Sequence, residues 1–516
     1  MFRESRIIEG FLQVSVAAPD GRSHTFLRSE EFRMSETDNA AAAAGTERPS
    51  ATAEIGLDPG HLSRLQITSL AVTSFVPAVG MATAPFLFFG AGGFNAWPAA
   101  LLAMVATVCV GKAIITFARR YVGSGSLYSY IGEVFGPWAR YAVGASLLLG
   151  FITQVAGTGS LVGIYFGSFL TTLGLENGYS PGLQMLILAV TLTTAALIAL
   201  RGLDTSVRVA VTLTLVSVPL MILVTGASAT RTGLDLAQQF DFGSLTVSGT
   251  FQGMASGIAF LVAFESCTAL AAETRDPKRN VPLAVMSTPV LLGLLYVVVT
   301  FLQVPGLAEA EDVLSAGASP VAALNAVAGM PSWIGGATDL VLAIATFAAV
   351  VGFTNYGSRY LVTLGVDGFL PARVTDVDRR RHTPAFAIVS LSVLGFLTMG
   401  AMVSYAGDFL TSYNTIAVVI VYCWVLPYVL IGVGAILVIA REKSFEPLTF
   451  ISSFIAIGSM SWLFINGLIH PPGAPIDVMS RLVPFAIAVC TAAFAVSGRR
   501  ATPRDDEHAA EMERPH

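Results

Sequence analysis

Charge is scarce in this chain. Only 12% of its 516 residues are Asp, Glu, Lys or Arg, about half the roughly 25% of soluble globular proteins, which excludes an ordinary solvated surface. Cysteine is scarce too. The four, at 109, 267, 423 and 490, all fall in apolar stretches with no CxxC pair, so neither disulfide nor metal chemistry is indicated. Histidines outside the tails are limited to His61, His382 and His470, at or beyond the ends of apolar runs. A membrane enzyme with a reactive cluster at one depth therefore finds no support. Lysine is absent from residue 113 to residue 277. No repeated pore motif or ring of charge speaks for a channel, and no large regulatory domain speaks for a sensor.

What is present is hydrophobic sequence. Apolar residues make up 54% of the chain, and the mean hydropathy is +0.70. A spanning helix needs about 20 mostly apolar residues, and twelve such segments fit between about residues 65 and 497. The spacing predicts spans near 65–89, 96–117, 126–170, 182–200, 205–227, 250–272, 282–304, 334–361, 384–404, 410–440, 448–468 and 478–497. The fold class is thus an all-α polytopic membrane protein.

The first sixty residues differ in kind. SETDNAAAAAGTERPSATAEIGLDPG, residues 35–60, is polar and has no repeating apolar face, which reads as a disordered tail. Translation starts at Met1 or at Met34, and no targeting pattern decides between them.

Loop charge predicts orientation. Arg119 and Arg120, Arg201 and Arg208, Arg275, Lys278 and Arg279, Arg379 to Arg381, Arg441 and Lys443, and Arg499 and Arg500 fall on one side if the N-terminus is inside. Arg231 is the main exception. Short cytoplasmic loops are enriched in Lys and Arg, so both termini are expected in the cytoplasm of a cell-membrane protein.

Two spans are interrupted. The first contains FVPAVGMATAP, with Pro77, Gly80 and Pro85. Proline removes a donor, and glycine tolerates unusual angles. The sequence therefore predicts either a break near 78–84 or a simple kink. The sixth begins FQGMASGIAFLVAFES, where Gly253 and Gly257 precede Phe260, Phe264 and Glu265. Interrupted spans at corresponding positions in two halves point to an inverted-repeat transporter.

Three longer stretches resemble one family. AFESCTALAAETRDPKRNVPLAV (263–285), YVGSGSLYSYIGEVFGPWARY (121–141) and NYGSRYLVTLGVDGFLPARVTDVDRRRHTP (355–384) are similar to segments of the amino acid permeases of the amino acid-polyamine-organocation superfamily. The resemblance covers about residues 62–497. It implies a LeuT-like five-plus-five inverted repeat with two C-terminal helices and broken spans 1 and 6. The halves would be 61–230 and 248–440 of a transport core at 61–440. Spans 11 and 12 would occupy 448–497, and a cytoplasmic tail 498–516.

It further implies substrate contacts from Val79, Gly80, Met81, Ala82 and Thr83 in span 1, and from Ala259, Phe260, Leu261 and Phe264 in span 6. GMATAP stands where many members carry a GSG-like turn, so substrate preference does not carry over. An amino acid brings a carboxylate, which suits N–H groups at a half-helix start, and an ammonium, which suits exposed carbonyls. Glu265 is a carboxyl at membrane depth, where such groups are costly. It serves either proton coupling or a hydrogen bond that holds span 6 together. Ser217 stands near the position where some relatives place a coupling lysine, and Asn355 is a further candidate for gating.

The resemblance thus implies a secondary transporter rather than an enzyme. It would move an amino acid by alternating access, proton-coupled or uncoupled, with sodium less favoured. Exchange, or a polyamine or other organic amine substrate, is the alternative. No cofactor, metal or nucleic acid is expected, and membrane lipids are the surroundings.

Overall fold

The computed structural model describes residues 62–121, 127–201, 203–378, 381, 383–444 and 446–501. The expected tail 1–60 with Met34, His61, the stretch 122–126, Arg379, Arg380, His382 and the tail from residue 502 lie outside them.

Among the described residues twelve helices are long and apolar enough to cross a membrane, and the protein is a multi-pass membrane protein. Spans 1 to 4 are Arg64–Asn95, Trp97–Ala118, Pro137–Thr172 and Pro181–Ala199, and span 5 lies in the helix Leu203–Thr232. Spans 6 to 9 are Val247–Ala271, Pro277–Glu309, Ser332–Val366 and Ala385–Ala406. Spans 10 to 12 are Phe409–Arg441, Pro447–Ile469 and Ile476–Gly498.

Apolar side chains sort these helices by depth in the bundle. Spans 1 and 6 are covered on nearly all sides, and span 3 packs on spans 8 and 10 beside them. Spans 4, 5, 11 and 12 turn Leu186, Val190, Leu215, Ile222, Phe454 and Phe485 outward. Continuous apolar exposure on that scale marks a lipid-facing surface.

Span 1 is broken, but not where the sequence reading put it. Helix runs over Arg64–Thr73 and resumes over Pro77–Gly92, so residues 78–84 are helical and the interruption is Ser74, Phe75 and Val76. The reason is Pro77. At the first helical position its missing N–H costs nothing, and its fixed φ suits a helix start, while the residue before it is pushed out of the α region. Val76 accordingly sits at φ 40°, a strained value for a β-branched residue. Pro85 is accommodated inside the second helix.

Span 6 repeats the device. An α-helix over Val247–Gly257 tightens through Ile258–Phe260, stops, and restarts as a 3-10 helix over Phe264–Glu273. Ala263, at the restart, has φ 64°. Each broken span thus holds one non-glycine residue in the left-handed region. The expected third span also divides: Gly136, at φ 79°, separates Leu127–Phe135 from Pro137–Thr172.

Candidate substrate site between the broken spans

The two interruptions meet around one small cavity. Ser74, Phe75, Val76 and Val79 of span 1 face Ala259 and Phe260 of span 6 across it. Spans 3, 8 and 10 complete the wall with Gln154, Thr158 and Leu161, with Thr346, Ala349 and Phe353, and with Tyr413 and Ile420. Among the described residues no Asp, Glu, Lys or Arg lines it. Its volume is about 40 Å3, and one water takes about 10–15 Å3 on this measure. The site therefore has room for a few waters, and admitting a larger solute requires the aromatic wall to move.

The sequence-derived residues distribute unevenly. Val79, Ala259 and Phe260 line the cavity. Gly80 faces span 7, where a Cβ would lie 1.9 Å from the Tyr296 hydroxyl. The Met81 carbonyl accepts from Gln303 Nε2 at 2.9 Å. Ala82 is packed in the core, and the Thr83 hydroxyl is joined to that of Tyr165 on span 3. Leu261 is buried at the break, its amide donating to the Ile258 carbonyl. Phe264 turns away to pack on Tyr428, ring centroids 6.0 Å apart. Ser217 is buried in span 5, and Asn355 Nδ2 donates to the Val351 carbonyl.

Gly80 gives a local test. Gly80→Ala is expected to lower thermal stability by about 1–3 kcal/mol, the usual cost of overpacking. Adding Tyr296→Leu should recover part of the loss, as read from unfolding in detergent.

The half-helix ends are less open than expected. Val79 and Gly80 amides both donate to the Val76 carbonyl, at 2.9 and 3.2 Å, which engages two of the groups a carboxylate would use. Ser74 Oγ donates to the Leu70 carbonyl and meets the Tyr356 hydroxyl at 2.9 Å. Gln154 Oε1 is different: it is buried on the cavity wall without a hydrogen-bond partner among the described residues.

Glu265 stands just beyond the span 6 break. Its Oε1 accepts from Trp424 Nε1 at 2.7 Å and its Oε2 from the Tyr428 hydroxyl at 2.6 Å. The Tyr428 oxygen also accepts the Ala263 amide at 2.9 Å. An interruption at membrane depth must have its backbone groups satisfied by protein, and Tyr428 does this for Ala263. Both partners lie on span 10, four residues apart on one helix face. Glu265 therefore fixes the second half of span 6 to span 10.

Two ionised groups were not legible as a pair in the sequence. Arg359 of span 8 donates from Nε to Glu273 Oε1 at 2.6 Å, and both side chains are at most 5% exposed. Arg359 Nη1 also reaches the Asn355 carbonyl oxygens at 3.3 Å. Leu62 pairs with the same segment: its amide donates to the Glu273 carbonyl at 2.8 Å, and the Arg275 amide donates to the Leu62 carbonyl at 2.9 Å. Along span 8 this layer lies beyond the cavity, Arg359 following the cavity-lining Phe353 by six residues. Ionisable residues inside a span mark function by default, and Arg359 in the expected 334–361 segment carried that signal.

The sequence matches the amino acid permease family over residues 62–494. The chain belongs to that family. It is 25% identical over 297 residues to the branched-chain amino acid permease BcaP of Lactococcus lactis subsp. cremoris, covering 55% of this chain and 63% of that protein. It is 26% identical over 318 residues to the low-affinity putrescine importer PlaP of Escherichia coli (strain K12), covering 59% of this chain and 66% of the importer. The chain thus spans somewhat less than two thirds of either relative. The crystal structure of MhsT in complex with L-phenylalanine has a similar fold, with a TM-score of 0.54 at 15% identity, covering 80% of this chain and 100% of that one. The fold is the LeuT-like broken five-plus-five inverted repeat.

Proposed function

We propose that this permease is a secondary transporter of neutral amino acids with apolar side chains. The supporting observation is the wall of the cavity, which is apolar and aromatic with a few neutral polar atoms and, among the described residues, no ionised side chain. A zwitterion needs only partial charges, because its own charges cancel, and Gln154 Oε1 supplies an acceptor for an ammonium group. A diamine would bring two unbalanced cations to a site without a carboxylate. The name of the branched-chain relative agrees with this reading; that of the putrescine importer favours the amine alternative.

The substrate contacts are proposed to be Val79, Ala259 and Phe260 with Gln154 and Tyr413. Gly80 to Thr83, Leu261 and Phe264 act behind them as packing, and Ser217 and Asn355 support spans 5 and 8. The division into a core of two repeats, two added spans and cytoplasmic tails is part of the same proposal. Both termini and the Leu62 end are proposed to be cytoplasmic, because the short connections after spans 2 and 6 carry Arg119, Arg120, Arg275, Lys278 and Arg279. Coupling is proposed to be to protons or absent, with exchange as the second reading.

Ligand-induced stabilisation tests the substrate class. A ligand bound only by the folded state raises stability by RT ln(1 + [L]/Kd), about 2.7 kcal/mol at a hundredfold excess over Kd. Leucine, valine or phenylalanine should raise the unfolding temperature of the purified protein while putrescine leaves it unchanged. A shift with putrescine alone would overturn the assignment.

A further inference from the structure

Another carboxyl lies deep in the bundle, away from Glu265 and Glu273. Asp339, in the second turn of span 8, is 0% exposed. Its Oδ2 accepts from Ser168 Oγ of span 3 at 2.6 Å, and its Oδ1 from Ser319 Oγ at 2.7 Å. Ser319 is the N-cap of a short helix, Pro320–Val327, in the connection between spans 7 and 8. The Ser319 hydroxyl also accepts the Ala322 amide at 3.0 Å. Its donor holds Asp339 while its acceptor holds the first turn of that helix.

The position relative to the cavity follows from helix geometry. Asp339 precedes the cavity-lining Thr346 by seven residues, and Ser168 follows the cavity-lining Leu161 by seven. Seven residues are about 10 Å along a helix, with an angular drift of only about 20°. Both side chains therefore lie on the cavity-facing stripes of their helices, two turns beyond the cavity, at the end opposite Leu62 and Glu273. Tyr165, one turn from Ser168 on the same stripe, is joined to Thr83 in the second half of span 1. The short helix itself packs against that half of span 1 and against spans 5, 7 and 8.

We propose that Asp339 is the positioning residue of a latch that shuts the outer approach to the cavity. Its two oxygens tie the helix Pro320–Val327 to spans 3 and 8, and opening to that side requires the Ser319 arm to part. The latch rests on the transport reading for its purpose. Its geometry is testable without substrate.

Ala349→Cys, on the cavity wall, serves as a reporter, and Ser315→Cys, exposed beside the short helix, reports which face of the membrane it occupies. Ser319→Ala, Ser168→Ala and Asp339→Asn are each added to the Ala349→Cys protein. A membrane-impermeant thiol reagent is applied to the face where Ser315→Cys reacts, and labelling is read against the parent with its four native cysteines. The expected result is labelling of the reporter at least about fivefold faster with Ser319→Ala or Asp339→Asn. In uptake assays KM should change more than the maximal rate, because the population open to that face changes. Ser168→Ala removes the arm to span 3 and leaves the short helix attached, so it should have the smaller effect. Unchanged labelling in a folded Ser319→Ala protein would overturn the latch. Should the wild-type protein show no uptake, the labelling result still decides the latch, and the failure falls on the transport assignment alone.

Discussion

Arg359→Gln is expected to give the largest loss of stability of any single substitution outside the breaks, on the order of 3–5 kcal/mol. The physical reason is asymmetric. Two buried charges in contact are costly to bring in from water, but once there each is the other's compensation, and removing one leaves the Glu273 carboxylate alone at 5% exposure. Arg359→Lys is not a repair, because a single ammonium cannot reproduce the Nε and Nη contacts to Glu273 and Asn355. The double substitution Glu273→Gln with Arg359→Gln should be less damaging than the sum of the two singles. A double-mutant cycle on thermal unfolding measures that difference. If the two losses simply add, the pair is not a unit.

Tyr428→Phe is the second large effect. The hydroxyl does two things at once: it accepts the Ala263 amide exposed by the break and donates to Glu265. Its removal orphans a buried donor and a buried acceptor, each costing about 1–3 kcal/mol. That corresponds to a tenfold or greater fall in the ratio of folded to unfolded protein, since each 1.4 kcal/mol is about a factor of ten in an equilibrium constant. Glu265→Gln should be milder in stability, because Gln Oε1 still accepts from Trp424 and Ala263 keeps its partner. Paired unfolding and uptake measurements check the order. Should Glu265→Gln prove the worse of the two in stability, the satisfaction of Ala263 is not what Tyr428 contributes.

Spans declare themselves by length and hydropathy, and twelve were legible for that reason. Interruption of spans 1 and 6 was legible from proline and glycine, but the position in span 1 was not. Pro77, Gly80 and Pro85 together point to 78–84, whereas the chemistry of Pro77 suits the start of the next helix, so the break falls on the three residues before it. Ala263 gave no warning, because alanine in the left-handed region is imposed by tertiary contacts with span 10 rather than by its own propensity. Glu265 stood out as a lone ionisable residue in an apolar run. Asp339 and Arg359 met the same criterion, yet their meaning came only with partners on other helices, 171 residues away for Ser168 and 86 for Glu273. Contacts at that separation carry no local pattern.

Uptake by purified protein in proteoliposomes separates amino acid transport from amine transport. Labelled leucine, valine and phenylalanine, with putrescine beside them, are offered under imposed proton or sodium gradients, and Glu265→Gln is run in parallel. An apolar amino acid is expected to accumulate, driven by a proton gradient or by counterflow and inhibited by the other apolar amino acids. Accumulation of putrescine without any amino acid uptake would contradict the amino acid assignment.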